Sequence, residues 1–234
     1  MTLDAPTNKK VRIFWDIDGT LIRTNGAAAL PFKNAIVNFL GSSIEFDRKK
    51  LSGFTDYEII QSIFVDLNRE IDISEIDKIL SEYSSNLPLN LKLGNAKQIN
   101  EISEVLLELE NSNQYENAIA TGNCYLGAIT KLRHIELINF FKPELLFHAS
   151  PQNTSRDEII AFAKMSLTAG QVGIIVGDSP KDITSAQKND LKVLAVATGM
   201  HSEEELRQIQ KFNVVKENWQ KNEMLDAIYK ISLN

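Results

Sequence analysis

The run Val11-Arg-Ile-Phe-Trp-Asp-Ile-Asp-Gly-Thr20 limits what this chain can fold into more than any other segment. Val11 to Trp15 is largely apolar without clean alternation, the pattern of a strand buried on both faces of a parallel sheet. It stops abruptly at two carboxylates, Asp16 and Asp18, and Gly19 permits a sharp exit. Functional sites in open α/β sheets lie just outside the carboxyl ends of strands, where this pair falls. Two acids one residue apart, without a basic neighbour, repel each other unless a cation lies between them. The competing reading is a solvated turn, because Asp and Gly are ordinary turn residues.

Two later strands end in the same manner. Asn117-Ala-Ile-Ala-Thr121-Gly-Asn123 closes on a hydroxyl, a glycine and an amide. Gln171-Val-Gly-Ile-Ile-Val-Gly-Asp178-Ser-Pro-Lys-Asp182 closes on Gly177 and two acids four residues apart. Further strands are expected at 145–149 and 193–197, with helices at 125–138, 157–167 and 183–188 and a final helical pair. Strands alternating with helices imply a parallel, doubly wound sheet. Residues 24–91 read as helical throughout, at 27–40 (ending at Gly41), 56–67 and 73–83. They predict a helical insert, dividing the chain into core 1–23, insert 24–91 and core 92–234. Pro88 and the stretch Leu89-Asn-Leu-Lys-Leu-Gly94 lead back toward the core. A long helix follows at 96–111, with Ile99, Ile102, Val105, Leu106 and Leu109 on one face. Residues 1–9 read as a loose polar arm.

Composition narrows the function. The formal net charge is −6, which argues against sequence-independent nucleic-acid binding. Lys9-Lys10 and Arg48-Lys49-Lys50 are short and read as solvated edges. No apolar run is long enough to cross a membrane, and no secretory apolar segment opens the chain. The one cysteine, Cys124, forms no intrachain disulfide, which fits a reducing, cytoplasmic setting. It reads as a small buried helix residue rather than a thiol nucleophile. His201, beside a helix-capping pattern, carries no role. A Gly-x-Gly-x-x-Gly turn and a Walker-type Gly-Lys-Ser/Thr are both missing, so a dinucleotide or P-loop nucleotide site is disfavoured.

Asp-Ile-Asp-Gly-Thr, then Thr-Gly-Asn, then Gly-Asp-x-x-x-Asp, each at a strand end, strongly resembles the haloacid dehalogenase (HAD) superfamily. The likeness is to its phosphatase branch, of the phosphoglycolate phosphatase kind, over roughly residues 10–200. It implies an α/β, Rossmann-like parallel sheet core with a small helical cap inserted after the first strand. The implied activity is Mg²⁺-dependent hydrolysis of a small phosphorylated metabolite through an aspartyl-phosphate. Oxygen-only ligands and a phosphate substrate suit Mg²⁺ better than Zn²⁺. Nucleic acid and membrane are not expected partners, and the oligomeric state is left open.

The resemblance also assigns residues. Asp16 would be the nucleophile and a metal ligand. Asp18 would be the general acid/base, its backbone carbonyl reaching the metal. Asp178 would be a further metal ligand, and Asp182 would support the site or, alternatively, cap its own helix. Thr121, with Gly122 and Asn123, would bind the phosphoryl group. Arg156 would offset the negative charge, with Lys142 and Lys164 as reserves and a solvated arginine as the competing reading. Leu51-Ser-Gly-Phe-Thr-Asp56 resembles the specificity loop of helical caps, naming Gly53, Phe54 and Thr55; a simple helix cap at Thr55 is the alternative. Three rivals share much of this pattern. A dehalogenase would need only the first acid. A β-phosphoglucomutase-like phosphomutase would keep every residue. A non-catalytic binding protein on this fold would be expected to have lost an acid.

Overall fold

The computed structural model describes residues 11–45, 47 and 49–233. The arm at 1–9, the Lys9-Lys10 pair and Arg48 lie outside the described residues. Strand β1 (Val11–Trp15) is buried along its whole length. It is followed by β2 (Ile22–Arg23), helices α1 (Ala29–Leu40), α2 (Asp56–Asp66) and α3 (Ile73–Leu93), and β3 (Lys97–Gln98). Then come α4 (Ile102–Asn111), β4 (Tyr115–Cys124), α5 (Tyr125–His134), β5 (Leu146–Ala149), α6 (Arg156–Met165) and β6 (Val172–Gly177). The chain finishes with α7 (Pro180–Lys188), β7 (Lys192–Val196), α8 (Glu203–Ile209), β8 (Val214–Val215) and α9 (Lys221–Leu233).

Six strands form one sheet in the order β5-β4-β1-β6-β7-β8, every pair parallel. The apolar run at Val11 thus occupies the centre of the sheet, where a strand is covered on both faces. Ile13, Phe14 and Trp15 are wholly buried, as are Ile174, Ile175 and Val176 on the neighbouring strand. Burying such a side chain contributes about 1.5–3 kcal/mol. Register then fixes the site. Trp15 pairs with Ile119 on one side and with Val176 on the other. Asp16, the Thr121-Gly122-Asn123 end of β4 and Asp178 therefore gather at one edge of the sheet.

Several elements differ from the sequence expectation. The stretch at 96–111 is not one helix: β3 occupies its start, Asn100 has φ of 46°, and α4 begins only at Ile102. β3 pairs antiparallel with β2, Ile22 against Gln98 and Arg23 against Lys97. This two-residue ribbon, like β8, is too short to show a period-two pattern. Pro88 does not turn the chain back, because α3 runs through it to Leu93. Proline removes one helical hydrogen bond and crowds the preceding turn. The buried face of Ile76, Ile79, Leu80, Tyr83, Leu87 and Leu91 outweighs that cost. Helix α5 stops at His134, with single 3₁₀ turns at Ile138–Phe140 and Pro143–Leu145 beyond it. Among the described residues, no helix is long and apolar enough to cross a membrane.

Candidate active site

Asp16 follows β1 directly, and its backbone N–H donates to the Val176 carbonyl at 2.9 Å. The residue is buried, its side chain 11 % exposed. Arg156 Nη1 donates to Asp16 Oδ1 at 3.1 Å, and Nη2 pairs with Asp182 Oδ1. Arg156 is the first residue of α6, behind a Ser155–Glu158 capping box. A cation at a helix N-terminus opposes the dipole by a few tenths of a kcal/mol or more. The two carboxylates in front of it supply the compensation. Asp182 caps its own helix and also pairs with Arg156. Its side chain accepts from the Ser179 N–H at 3.0 Å and the Ser179 hydroxyl at 2.6 Å, a capping box at the start of α7, while its other oxygen holds Arg156.

Asp178 leaves β6 beside them, 5 % exposed. Gly19, at φ of 76°, makes room for it: a Cβ there would lie 2.5 Å from Asp178 Oδ2. The carboxylate oxygens of Asp16, Asp178 and Asp182 lie within 4.8 Å of one another. Burial pushes the Asp16 carboxyl up to about 6; Arg156 pulls against this, and Asp182 and Asp18 add to it. Asp178 is held well above the usual carboxylate range, by burial first and then by Asp182, Asp16 and Asp18. Two like charges about 4 Å apart repel by ~4 kcal/mol at an effective dielectric near 20. One guanidinium does not balance three such carboxylates. Their all-oxygen donor set fits a hard divalent cation.

Asp18 points elsewhere and is partly exposed. Its Oδ2 accepts from Lys131 Nζ at 2.5 Å and from Asn123 Nδ2 at 2.8 Å. Lys131 also donates to Asn123 Oδ1 at 2.5 Å and is 3 % exposed. Burial alone would lower the ammonium's pKa; Asp18, Tyr83 and Asp56 outweigh it and hold the group above its usual range. Lys131 was not foreseen. Its signal was a lysine on the buried stripe of α5, beside Gly127, Ala128 and Leu132. The reserve lysines do not serve: Lys142 is exposed and pairs with Glu116 at 3.0 Å, and Lys164 lies 3.5 Å from Asp190. Thr121 is fully buried, its hydroxyl accepting from Asn123 Nδ2 at 2.8 Å.

The loop before α2 is wedged against these strand ends. A Cβ on Gly122 would come within 2.8 Å of the Phe54 carbonyl, so only glycine admits the loop here. Thr55 caps α2, accepting from the Glu58 N–H at 3.0 Å, and its hydroxyl donates to the Thr154 carbonyl. Asp56 Oδ2 accepts from the Cys124 N–H at 2.7 Å. Lys181 Nζ sits 3.6 Å from the Phe54 ring centroid and 2.6 Å from Glu58 Oε1. Cys124 ends β4 rather than lying inside a helix. Burial, then Asp56, push its thiol up to about 12, so it stays protonated. A cavity of about 460 Å³ lies between this loop and the strand ends. Asp16, Asp18, Asn123, Lys131, Arg156 and Asp178 bound one side, and Phe32, Gly53, Phe54, Ile59 and Tyr83 the other. Thr55 is not part of its wall.

Residues 13–196 match the family model of the haloacid dehalogenase-like hydrolases. The chain belongs to that family. No curated protein matches this hydrolase in sequence. Its fold is similar to a HAD hydrolase of family IA, variant 3, from Entamoeba histolytica (21 % identity, TM-score 0.72, covering 96 % of this chain and 100 % of the other). It is also similar to a predicted phosphatase from Clostridium acetobutylicum (20 %, TM-score 0.71, 94 % and 99 %). A predicted phosphoglycolate phosphatase from Haemophilus somnus gives 16 % identity and a TM-score of 0.62, over 96 % and 100 %.

Proposed function

We propose that this hydrolase is a Mg²⁺-dependent phosphatase acting on a small phosphorylated metabolite through an aspartyl-phosphate at Asp16. The observation that carries the reading is the division of labour between two acids on one loop. Asp16 is buried and held by Arg156 beside Asp178, whereas Asp18 is turned away and anchored by Lys131 and Asn123. Asp16 and Asp178 would hold the metal, with Asp182 behind them fixing Arg156. When bound, Mg²⁺ supplies the positive charge that lets the carboxylates and a phosphate dianion share one pocket.

The chain's own residues then account for the two displacements. Arg156 fixes one oxygen of Asp16, and the other attacks phosphorus while the bond to the leaving oxygen breaks. Asp18 donates its proton to that leaving oxygen. It next takes a proton from a water that attacks the phosphorus of the aspartyl-phosphate, and inorganic phosphate and Asp16 are released. Gly122 and Asn123 border the phosphoryl end of the cavity. Helices α1 to α3 act as a cap that excludes bulk water.

The test is release of inorganic phosphate from p-nitrophenyl phosphate with Mg²⁺ and with EDTA, for the wild type and for Asp16→Asn. Hydrolysis that needs the metal and vanishes in the variant is the expected result. Undiminished turnover in EDTA or in the variant would overturn the proposal; with a sugar phosphate as substrate, its isomer in place of free phosphate would identify a phosphomutase.

A further inference from the structure

Beyond the phosphoryl end, the cavity wall is of mixed character. Phe32 and Tyr83 meet edge to face, centroids 5.1 Å apart, with Ile22, Ala28 and Ile59 beside them. The cations that line the cavity among the described residues are Arg23, Lys131 and Arg156. Each is already committed. Arg23 Nη1 and Nη2 both lie 3.2 Å from Glu217 Oε1. Lys131 holds Asp18 and Asn123, and Arg156 holds Asp16 and Asp182. Four carboxylates line the same space: Asp16, Asp18, Asp56 and Asp178. A divalent ion offsets much of that charge, and the phosphate dianion of a substrate restores it.

Asp56 makes the leaving-group side specific. Its carboxylate is 9 % exposed and belongs to the cavity wall. Oδ2 accepts from the Cys124 N–H at 2.7 Å, and the Cys124 thiol and the Lys131 ammonium also act on this carboxylate. An ionised carboxylate has about four lone-pair sites, so it accepts further hydrogen bonds. A hydroxyl on the leaving group can give one; a carboxylate there cannot, and it meets the Asp56 carboxylate instead. Resting on the phosphatase reading, we infer that the substrate is a phosphate monoester of an uncharged, hydroxylated alcohol, a polyol or sugar, rather than of a hydroxy acid. A cavity of about 460 Å³ suits a molecule of that size.

The deciding pair is glycerol 3-phosphate and 3-phosphoglycerate, which differ in bearing a hydroxymethyl group or a carboxylate at one carbon. With the full chain and Mg²⁺, kcat/KM is expected to favour glycerol 3-phosphate by at least tenfold, and 2-phosphoglycolate to be as poor as 3-phosphoglycerate. Asp56→Asn should narrow the ratio severalfold, since it removes the negative charge that the carboxylate meets. Equal or better turnover of either acidic ester by the wild type overturns the inference, and so does a ratio unchanged in a folded Asp56→Asn. p-Nitrophenyl phosphate, run alongside, separates the two failures. If it is hydrolysed, only the leaving-group assignment falls; if it is not, the phosphatase reading falls with it.

Discussion

Replacing Arg156 by alanine removes the cation standing between Asp16 and Asp182. Arg156 is 2 % exposed and the Asp182 side chain 1 %, so water does not take the guanidinium's place. Breaking a buried ion pair from one side costs about 3–5 kcal/mol, because a charge is left uncompensated. That is a large part of the roughly 5–15 kcal/mol by which a domain is stable. Asp182 keeps its hydrogen bonds from Ser179, and the Asp16 carboxyl, which burial pushes up to about 6, can take up a proton. The loss should therefore be near its full size at pH 7.5 and clearly smaller at pH 5. Urea unfolding of Arg156→Ala and wild type at both pH values reads this directly. A wild-type midpoint at pH 7.5 would refute the reasoning; an equal loss at both pH values would assign the effect to lost packing instead.

The same variant should lower kcat/KM with p-nitrophenyl phosphate by about 1.5–3 kcal/mol, roughly 10- to 150-fold, for the lost charge-assisted hydrogen bond to Asp16. Lys142→Ala is the comparison. Its pair with Glu116 is exposed on the lysine side, and such pairs contribute about 0–1 kcal/mol. Reversed effects in the two variants would show that Arg156 is not the cation that matters.

Two further outcomes are expected. Lys131→Met should cost about 1–3 kcal/mol in stability, mainly for the Asn123 Oδ1 left without a donor, and less than Arg156→Ala because Asp18 can be rehydrated. It should slow glycerol 3-phosphate more than p-nitrophenyl phosphate, whose leaving group needs no proton from Asp18; equal slowing would refute that positioning role. As for pH, burial raises the folded-state pKa of Asp16 from 3.8 to about 6, so the folded protein binds a proton more tightly than the unfolded chain. That contribution is fully present below about pH 4 and is lost as pH rises through 6, by about 3 kcal/mol in all. In EDTA, urea midpoints should fall between pH 5 and 7. Added Mg²⁺ should flatten or reverse the slope, since metal competes with the proton. A midpoint that rises with pH in EDTA would contradict the assignment.

The parts of the site that could be read from sequence are those whose position depends on one strand alone. A parallel strand buried on both faces shows as an apolar run, and its end shows as the first carboxylate, so Asp16 and Asp178 were legible. The Trp15–Ile119 and Trp15–Val176 registers then carry Asp16, Thr121 and Asp178 to one edge. Lys131 and Asp56 depend instead on two distant segments meeting, and periodicity does not record such encounters. Lys131 interrupts an otherwise buried helical stripe, which could have been read as a solvated position. Its burial follows from the pairing with Asp18, 113 residues away in sequence. Asp56 looked like an ordinary first-turn acid. Only the approach of its loop to Gly122 turns it into a cavity-lining carboxylate on the Cys124 N–H. Thr55 illustrates the same limit from the other side. The local capping signal was correct, and the tether to Thr154, 99 residues on, left no trace in the neighbouring residues. Chemistry held by strand ends is therefore written locally, whereas Lys131, Asp56 and Thr55 take their places from contacts between segments far apart in sequence.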